Sequence, residues 1–134
     1  MSRIVIIDDD EGVRDLLREA LETTGREVVT AVNGREGLHA HRAEAADLVI
    51  CDILMPELDG IQVMQELRRC SPSLKLIAIS GCAERLRLDV LKIATLLGAA
   101  AVFEKPFLLD DLIAKVNELL PAPAGAESVP AGPS

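Results

Sequence analysis

The sequence contains no tryptophan and no tyrosine, and its two aromatic residues are Phe103 and Phe107. A core in this chain must therefore be assembled from Leu, Ile, Val and Ala. Its three cysteines, Cys51, Cys70 and Cys82, are odd in number and show no C-x-x-C spacing. That pattern excludes a disulfide framework and suggests no zinc site, so the thiols are read as reduced. Basic residues are also scarce, giving a formal net charge of -8. Phosphate backbones reward clustered Lys and Arg, so direct DNA binding is not expected, and a cation is the more natural ligand. No long hydrophobic run is present either. The opening "MSRIVIIDDD" reaches acids after four apolar residues, too few for a signal peptide or a membrane span, which points to a cytoplasmic protein.

What the chain does contain is alternation. Strand-like segments are expected near Arg3 to Asp8, Glu27 to Ala31, Asp47 to Asp52, Leu74 to Ser80 and Ala101 to Glu104. Helix-like segments lie between them, so a βαβ architecture on a parallel sheet is expected. In the first of these helices Val13, Leu16, Leu17, Ala20 and Leu21 share one face, and Gly25 ends it. In the last, Leu109, Leu112, Ile113, Val116 and Leu119 or Leu120 repeat the pattern between Asp110 and Asp111 at the start and Pro121 at the end. Residues 1–120 thus form one domain. Residues 121–134, "PAPAGAESVPAGPS", lack apolar periodicity and read as a flexible tail, with a linker to a further domain as the other reading.

Acids gather where strands end. Asp8 and Asp9 close the first strand segment and Asp52 the third, where "DLVICDILMPELDG" runs from apolar residues straight into a carboxylate. Doubly wound sheets bind ligands at the carboxyl ends of strands where the strand order reverses. With an order of 2-1-3-4-5, the first and third strands are neighbours and the three carboxylates meet. Mg²⁺ suits such a cluster, since it takes a few carboxylate oxygens and keeps waters that phosphate oxygens can replace. Taken alone, "DDDE" is also a good helix N-terminus. Ser80 as a turn residue and Lys105 as a solvated amine have equally plain readings. Together at one sheet edge, a metal cluster, a carboxylate nucleophile, a hydroxyl and an ammonium are the components of phosphoryl transfer onto aspartate.

Four ordered motifs, "IVIIDDDEGVR", "DLVICDILMPELDG", "LIAISG" and "GAAAVFEKPF", make Arg3 to Leu120 resemble the receiver domain of two-component response regulators. The resemblance implies a flavodoxin-like α/β fold, a doubly wound (βα)5 three-layer sandwich with parallel strand order 2-1-3-4-5. It implies that Asp52 accepts a phosphoryl group from a sensor histidine kinase or a histidine phosphotransfer protein, making the chain a phosphoacceptor and not a turnover enzyme. Asp9, Asp52 and the backbone carbonyl of Leu54 would hold Mg²⁺, with Asp8 acting through a bound water. Pro56 and Gly60 would shape the loop behind the site. Lys105 would pair with a phosphoryl oxygen, and its bond to Pro106 would be cis. Ser80, followed by Gly81, would swing toward the phosphoryl group and switch an output surface for an unknown downstream protein, as a monomer or a phosphorylation-dependent dimer. By the same resemblance Leu16 and Leu17 on the first helix form a kinase docking face, and the fourth and fifth helices with the fifth strand form the output face.

The chain departs from the family pattern in three places. Val102 stands where many receivers carry an aromatic switch residue, leaving Phe103 for the core; the stretch from Ser80 to Gly98 is longer than usual; and Leu54 and Cys82 replace polar residues that assist an attacking water. Slow autodephosphorylation is expected from the last of these. His39 and His41, two residues apart, share no helical face and are read as surface residues. Met55 and Met64 read as loop and core packing, and Cys51 as a small apolar side chain in the sheet. Two other functions fit parts of the sequence. "DDD", Ser80, Lys105 and "DD" at Asp110 could serve a haloacid dehalogenase-like phosphatase, although "CDILMPELDG" would then have no role. A phosphorylation-independent interaction module is the other, against which the complete set Asp8, Asp9, Asp52, Ser80 and Lys105 argues.

Overall fold

The computed structural model describes residues 2–53, 60–81, 92 and 95–120. Strands β1 (Arg3–Ile7), β2 (Glu27–Ala31), β3 (Leu48–Asp52), β4 (Lys75–Ser80) and β5 (Ala101–Glu104) form one parallel sheet in the order β2-β1-β3-β4-β5. The helices α1 (Glu11–Glu22), α2 (Gly34–Ala43), α3 (Gly60–Cys70) and α4 (Leu109–Leu119) cover its two faces. The expected fold class and strand order are thus met, and each strand boundary agrees to within a residue. Residues 82–91, including Cys82, and the 121–134 tail lie outside the described residues.

Side-chain alternation divides the sheet into two cores. Val5, Ile7, Val49, Cys51, Leu76 and Ala78 pack with Leu38 of α2 and Val63, Met64 and Leu67 of α3. Ile4, Ile6, Leu48, Ile50, Ile77 and Ile79 point the other way, onto Leu17 and Leu21 of α1 and Leu112 and Val116 of α4. Because both faces are covered, β1 and β3 are buried along their whole length and read as unbroken apolar runs. Phe103 and Phe107 sit at the edge of the second core, their rings 6.3 Å apart. Phe103 therefore takes the packing role expected of it.

Caps set the helix ends. Asp10 accepts the Val13 N–H at 3.2 Å to open α1, and Asn33 accepts that of Glu36 at 2.9 Å to open α2. Gly25, at φ 83°, turns the chain out of α1 as its sequence position predicts. The α1 stripe is narrower than its spacing suggests. Leu17 and Leu21 are fully buried, but Leu16 is 48% exposed because it lies off the sheet-facing arc. Leu17 consequently cannot serve a docking face, whereas Leu16 can.

The edge of the sheet where strands begin is tied by cations that mostly grip backbone carbonyls. Arg3 donates to the carbonyls of Glu44 and Ala40 and pairs with Glu27. Arg26, buried just before β2, donates to Thr24 Oγ1, Asn117 Oδ1 and the Leu120 carbonyl. Arg68 of α3 reaches the carbonyls of Pro72, Leu74, Leu97 and Gly98 at 2.6 to 3.2 Å. Arg3 and Arg68 each supply several donors to carbonyls that helix ends and turns leave over, and Arg26 supplies one.

His41 belongs to this edge and corrects the expectation of a surface histidine: it is 6% exposed, while His39 is exposed. Its Nδ1 accepts the Ala46 N–H at 3.0 Å and its Nε2 lies 2.8 Å from Ser71 Oγ. The acceptor role of Nδ1 places the proton on Nε2, so a second proton would set donor against donor. Burial lowers the imidazole pKa from its ordinary value, and the charge of Arg3 lowers it further. The unfolded chain therefore binds the proton more readily. Stability contributed by neutral His41 is full above its unfolded pKa of about 6.5 and declines as pH falls below it. Denaturant midpoints measured between about pH 7.5 and about pH 5.5 should fall more steeply for wild type than for His41→Gln. Parallel slopes would refute this role.

Candidate functional site

Strand order alone brings the site together. Asp8 directly follows β1, Asp52 ends β3, Ser80 ends β4 and Lys105 follows β5, all at the carboxyl edge. Asp8, Asp52 and Ser80 are buried, although each is polar. The Asp8 N–H donates to the Ala31 carbonyl at 3.1 Å, and the Lys105 N–H to the Ser80 carbonyl at 2.8 Å. Backbone pairing thus continues one residue beyond the strands and carries the functional side chains to fixed points.

The Lys105 Nζ lies 3.0 Å from Asp8 Oδ2 and 3.2 Å from Asp52 Oδ2. Burial would depress the lysine pKa, but the hydrogen bond it donates to Asp8 and the charges of Asp52 and Asp8 outweigh that and raise it above its usual value. Lys105 remains a compact cation. Oxygens of Asp8, Asp9 and Asp52 lie within 4.8 Å of one another. Among the described residues, three clustered carboxylates against one ammonium leave the group formally two negative charges in excess. Asp8 Oδ2, despite its closeness to Nζ, accepts no hydrogen bond of good geometry. Clustered hard oxygens carrying excess negative charge fit a small divalent cation such as Mg²⁺.

The cluster opens into a cleft of about 410 Å³ lined by Asp9, Asp10, Asp52, Gly81 and Lys105. A Cβ at Gly81 would stand 3.3 Å from Lys105 Cδ, so glycine there leaves room for the lysine stem. Gly60, which opens α3, donates to the Ile53 carbonyl at 2.7 Å. A Cβ on it would meet the Asp52 carbonyl oxygen at 2.1 Å and Ile53 Cα at 2.4 Å. No side chain fits there without moving the backbone that carries Asp52.

The Lys105–Pro106 peptide is cis. Beside the cleft, Val13, Leu16, Gly81, Lys105, Pro106 and Phe107 line a second, mainly apolar hollow of about 410 Å³. Val102 is half-buried opposite Ala78 and packs into the core with α2 and α3. Asp110 and Asp111 are exposed in the first turn of α4, outside the carboxylate cluster, which leaves the phosphatase assignment without its last acid pair. Leu54, Pro56 and Cys82 lie outside the described residues.

Two contributors carry no role in the sequence analysis. Asp10 caps α1, lines the cleft and donates its N–H to Asp8 Oδ1 at 2.8 Å. Arg14 donates from Nη1 to the Asp8 carbonyl at 2.8 Å. The N-cap spacing from Asp10 to Val13 was a usable signal for the first; a bond to a backbone carbonyl leaves no trace in residue type.

Comparison with known proteins agrees with this arrangement. Residues 4–117 match the response regulator receiver domain family. Response regulator MprA of Mycolicibacterium vanbaalenii is 38% identical over 122 residues, covering 88% of this chain and 50% of that protein. Sporulation initiation phosphotransferase F of Bacillus subtilis is 32% identical over 119 residues, covering 89% of this chain and 94% of that one. This chain therefore spans about half the length of relatives such as MprA, and nearly the whole of phosphotransferase F. Among solved structures, a receiver domain protein from Clostridium thermocellum superposes with a TM-score of 0.80 at 30% identity, covering 90% of this chain and 94% of that one. TrrA of Thermotoga maritima, solved in complex with Mg²⁺-BeF, superposes at 0.77 with 36% identity, covering 90% of this chain and all of that one. The chain belongs to the response regulator receiver domain family of two-component systems.

Proposed function

We propose that Asp52 is a phosphoacceptor, taking a phosphoryl group from a histidine kinase or histidine phosphotransfer protein in an Mg²⁺-dependent reaction. The observation that carries this is the position of the Asp52 carboxylate, at a strand end, facing a cleft, beside Asp9 and 3.2 Å from the Lys105 ammonium. An Asp52 oxygen forms the new P–O bond as the P–N bond of the donor breaks, and the electron pair leaves on the imidazole nitrogen. Asp8, Asp9 and Asp52 would hold Mg²⁺, with the Leu54 carbonyl by resemblance; when bound, the ion offsets charge on the phosphoryl oxygens. Lys105 moves its ammonium from Asp52 to a phosphoryl oxygen, and the Ser80 hydroxyl donates a hydrogen bond to another. The product is a covalently marked protein, not a released product, so the chain acts as a signalling element without turnover.

Val102 has no ring to rotate. Movement of Ser80 toward the phosphoryl group is therefore assigned the switching role by itself, passing a change in the loop after β4 to a downstream protein. For the donor, the apolar hollow of Val13, Leu16, Pro106 and Phe107 supports docking against α1, next to the cleft. Among the described residues no helix is long and apolar enough to cross a membrane.

Incubation with acetyl phosphate followed by intact-protein mass spectrometry should give one phosphoryl adduct that requires Mg²⁺ and is absent from Asp52→Ala; mass is the practical readout because the chain lacks tryptophan. A folded protein that binds Mg²⁺ but forms no adduct with either acetyl phosphate or a phosphohistidine donor would favour the phosphorylation-independent module. The adduct should decay slowly, since Leu54 and Cys82 offer an attacking water no polar guide, and a half-life of seconds would contradict this. Leu16→Glu should slow transfer from a phosphohistidine protein while leaving acetyl phosphate labelling intact; equal rates from the protein donor would remove α1 from the docking face.

A further inference from the structure

The turn between β1 and α1 carries Asp8, Asp9 and Asp10 and is held by contacts of different kinds. The Asp8 N–H is fixed to Ala31, its Oδ1 receives the Asp10 N–H, and its carbonyl receives Nη1 of Arg14 at 2.8 Å. Arg14 is half-buried one turn into α1, after the cap at Asp10. The carbonyl it holds belongs to the peptide joining Asp8 to Asp9, so the bond fixes the plane of that peptide. The plane in turn sets the direction in which the Asp9 side chain leaves the backbone. Asp9 is exposed and brings its carboxylate within 4.8 Å of Asp8 and Asp52.

We infer that Arg14 is a positioning residue for the divalent cation: it acts through the Asp8 carbonyl to hold the Asp8–Asp9 peptide so that the carboxylates converge. The inference rests on the Mg²⁺ assignment above. A guanidinium also carries a positive charge, which opposes a nearby cation. The two effects have opposite signs. Loss of Arg14 weakens cation binding if it positions the ligands and strengthens it if its charge dominates. A charge-assisted hydrogen bond at 2.8 Å to the peptide that carries a ligand favours positioning, because charge near solvent is screened. The same helix presents Val13 and Leu16 to the apolar hollow. A partner seated there would press on the helix that holds the metal-site backbone.

The test is a calorimetric Mg²⁺ titration of the full chain, with amide shifts of Asp9 and Asp52 followed by NMR. Arg14→Met removes donor and charge, Arg14→Gln is too short to reach the carbonyl, and Arg14→Lys retains charge and donor. Both Met and Gln are good helix formers, so a folding defect in one leaves the other to report. Each is expected to weaken Mg²⁺ binding roughly tenfold, as losses of outer-shell partners do, and Arg14→Lys to recover most of it. Unchanged or tighter binding in Arg14→Met and Arg14→Gln, with wild type binding normally, would overturn the positioning role alone. A wild-type chain that binds no Mg²⁺ would overturn the metal assignment, and the positioning role with it.

Discussion

One ammonium held between two buried carboxylates organises this molecule. Lys105 follows the edge strand β5, while Asp8 and Asp52 come from β1 and β3, so the ion pairs span the sheet at its carboxyl edge. Burying Asp8 and Asp52 without a partner would be strongly unfavourable, and one cation for a cluster that also includes Asp9 leaves negative charge uncompensated. The same arrangement explains why the fold tolerates polar residues at the ends of its most apolar strands. The residual negative charge faces the cleft, where a further cation can be accommodated.

The sheet and its faces were legible in the sequence because buried parallel strands leave continuous apolar runs such as Ile4 to Ile7 and Leu48 to Cys51. Strand order was not legible from periodicity; it came from the resemblance, and with it the meeting of Asp8, Asp52, Ser80 and Lys105. Helical spacing overstated the α1 stripe, because Leu16 satisfies the pattern while lying off the arc that faces the sheet. His41 was misjudged for a related reason. Its environment depends on Ser71 and the Ala46 N–H, one of them on the far side of β3, and residue type carries no mark of a buried polar partner. The role of Arg14 leaves no mark in the sequence because its partner is a carbonyl, which every residue has.

The two ends of the sheet follow different electrostatic rules. At the carboxyl end, side-chain charges face one another and can exchange partners, as Lys105 must if it is to meet a phosphoryl oxygen. At the other end, Arg3 and Arg68 direct most of their bonds to main-chain carbonyls, and Arg26 adds one at Leu120. Carbonyls cannot titrate or rotate away independently. One edge is thus held by side-chain charges and the other largely by main-chain carbonyls.

The grip of Arg26 on the Leu120 carbonyl and on Asn117 reaches beyond folding. It fixes where the last helix ends, on the side of the sheet where the strands begin. A strand of five residues is about 17 Å long, so that end and the acidic cleft are separated by the height of the sheet. The end of α4 is thus anchored at the edge of the sheet opposite the cleft.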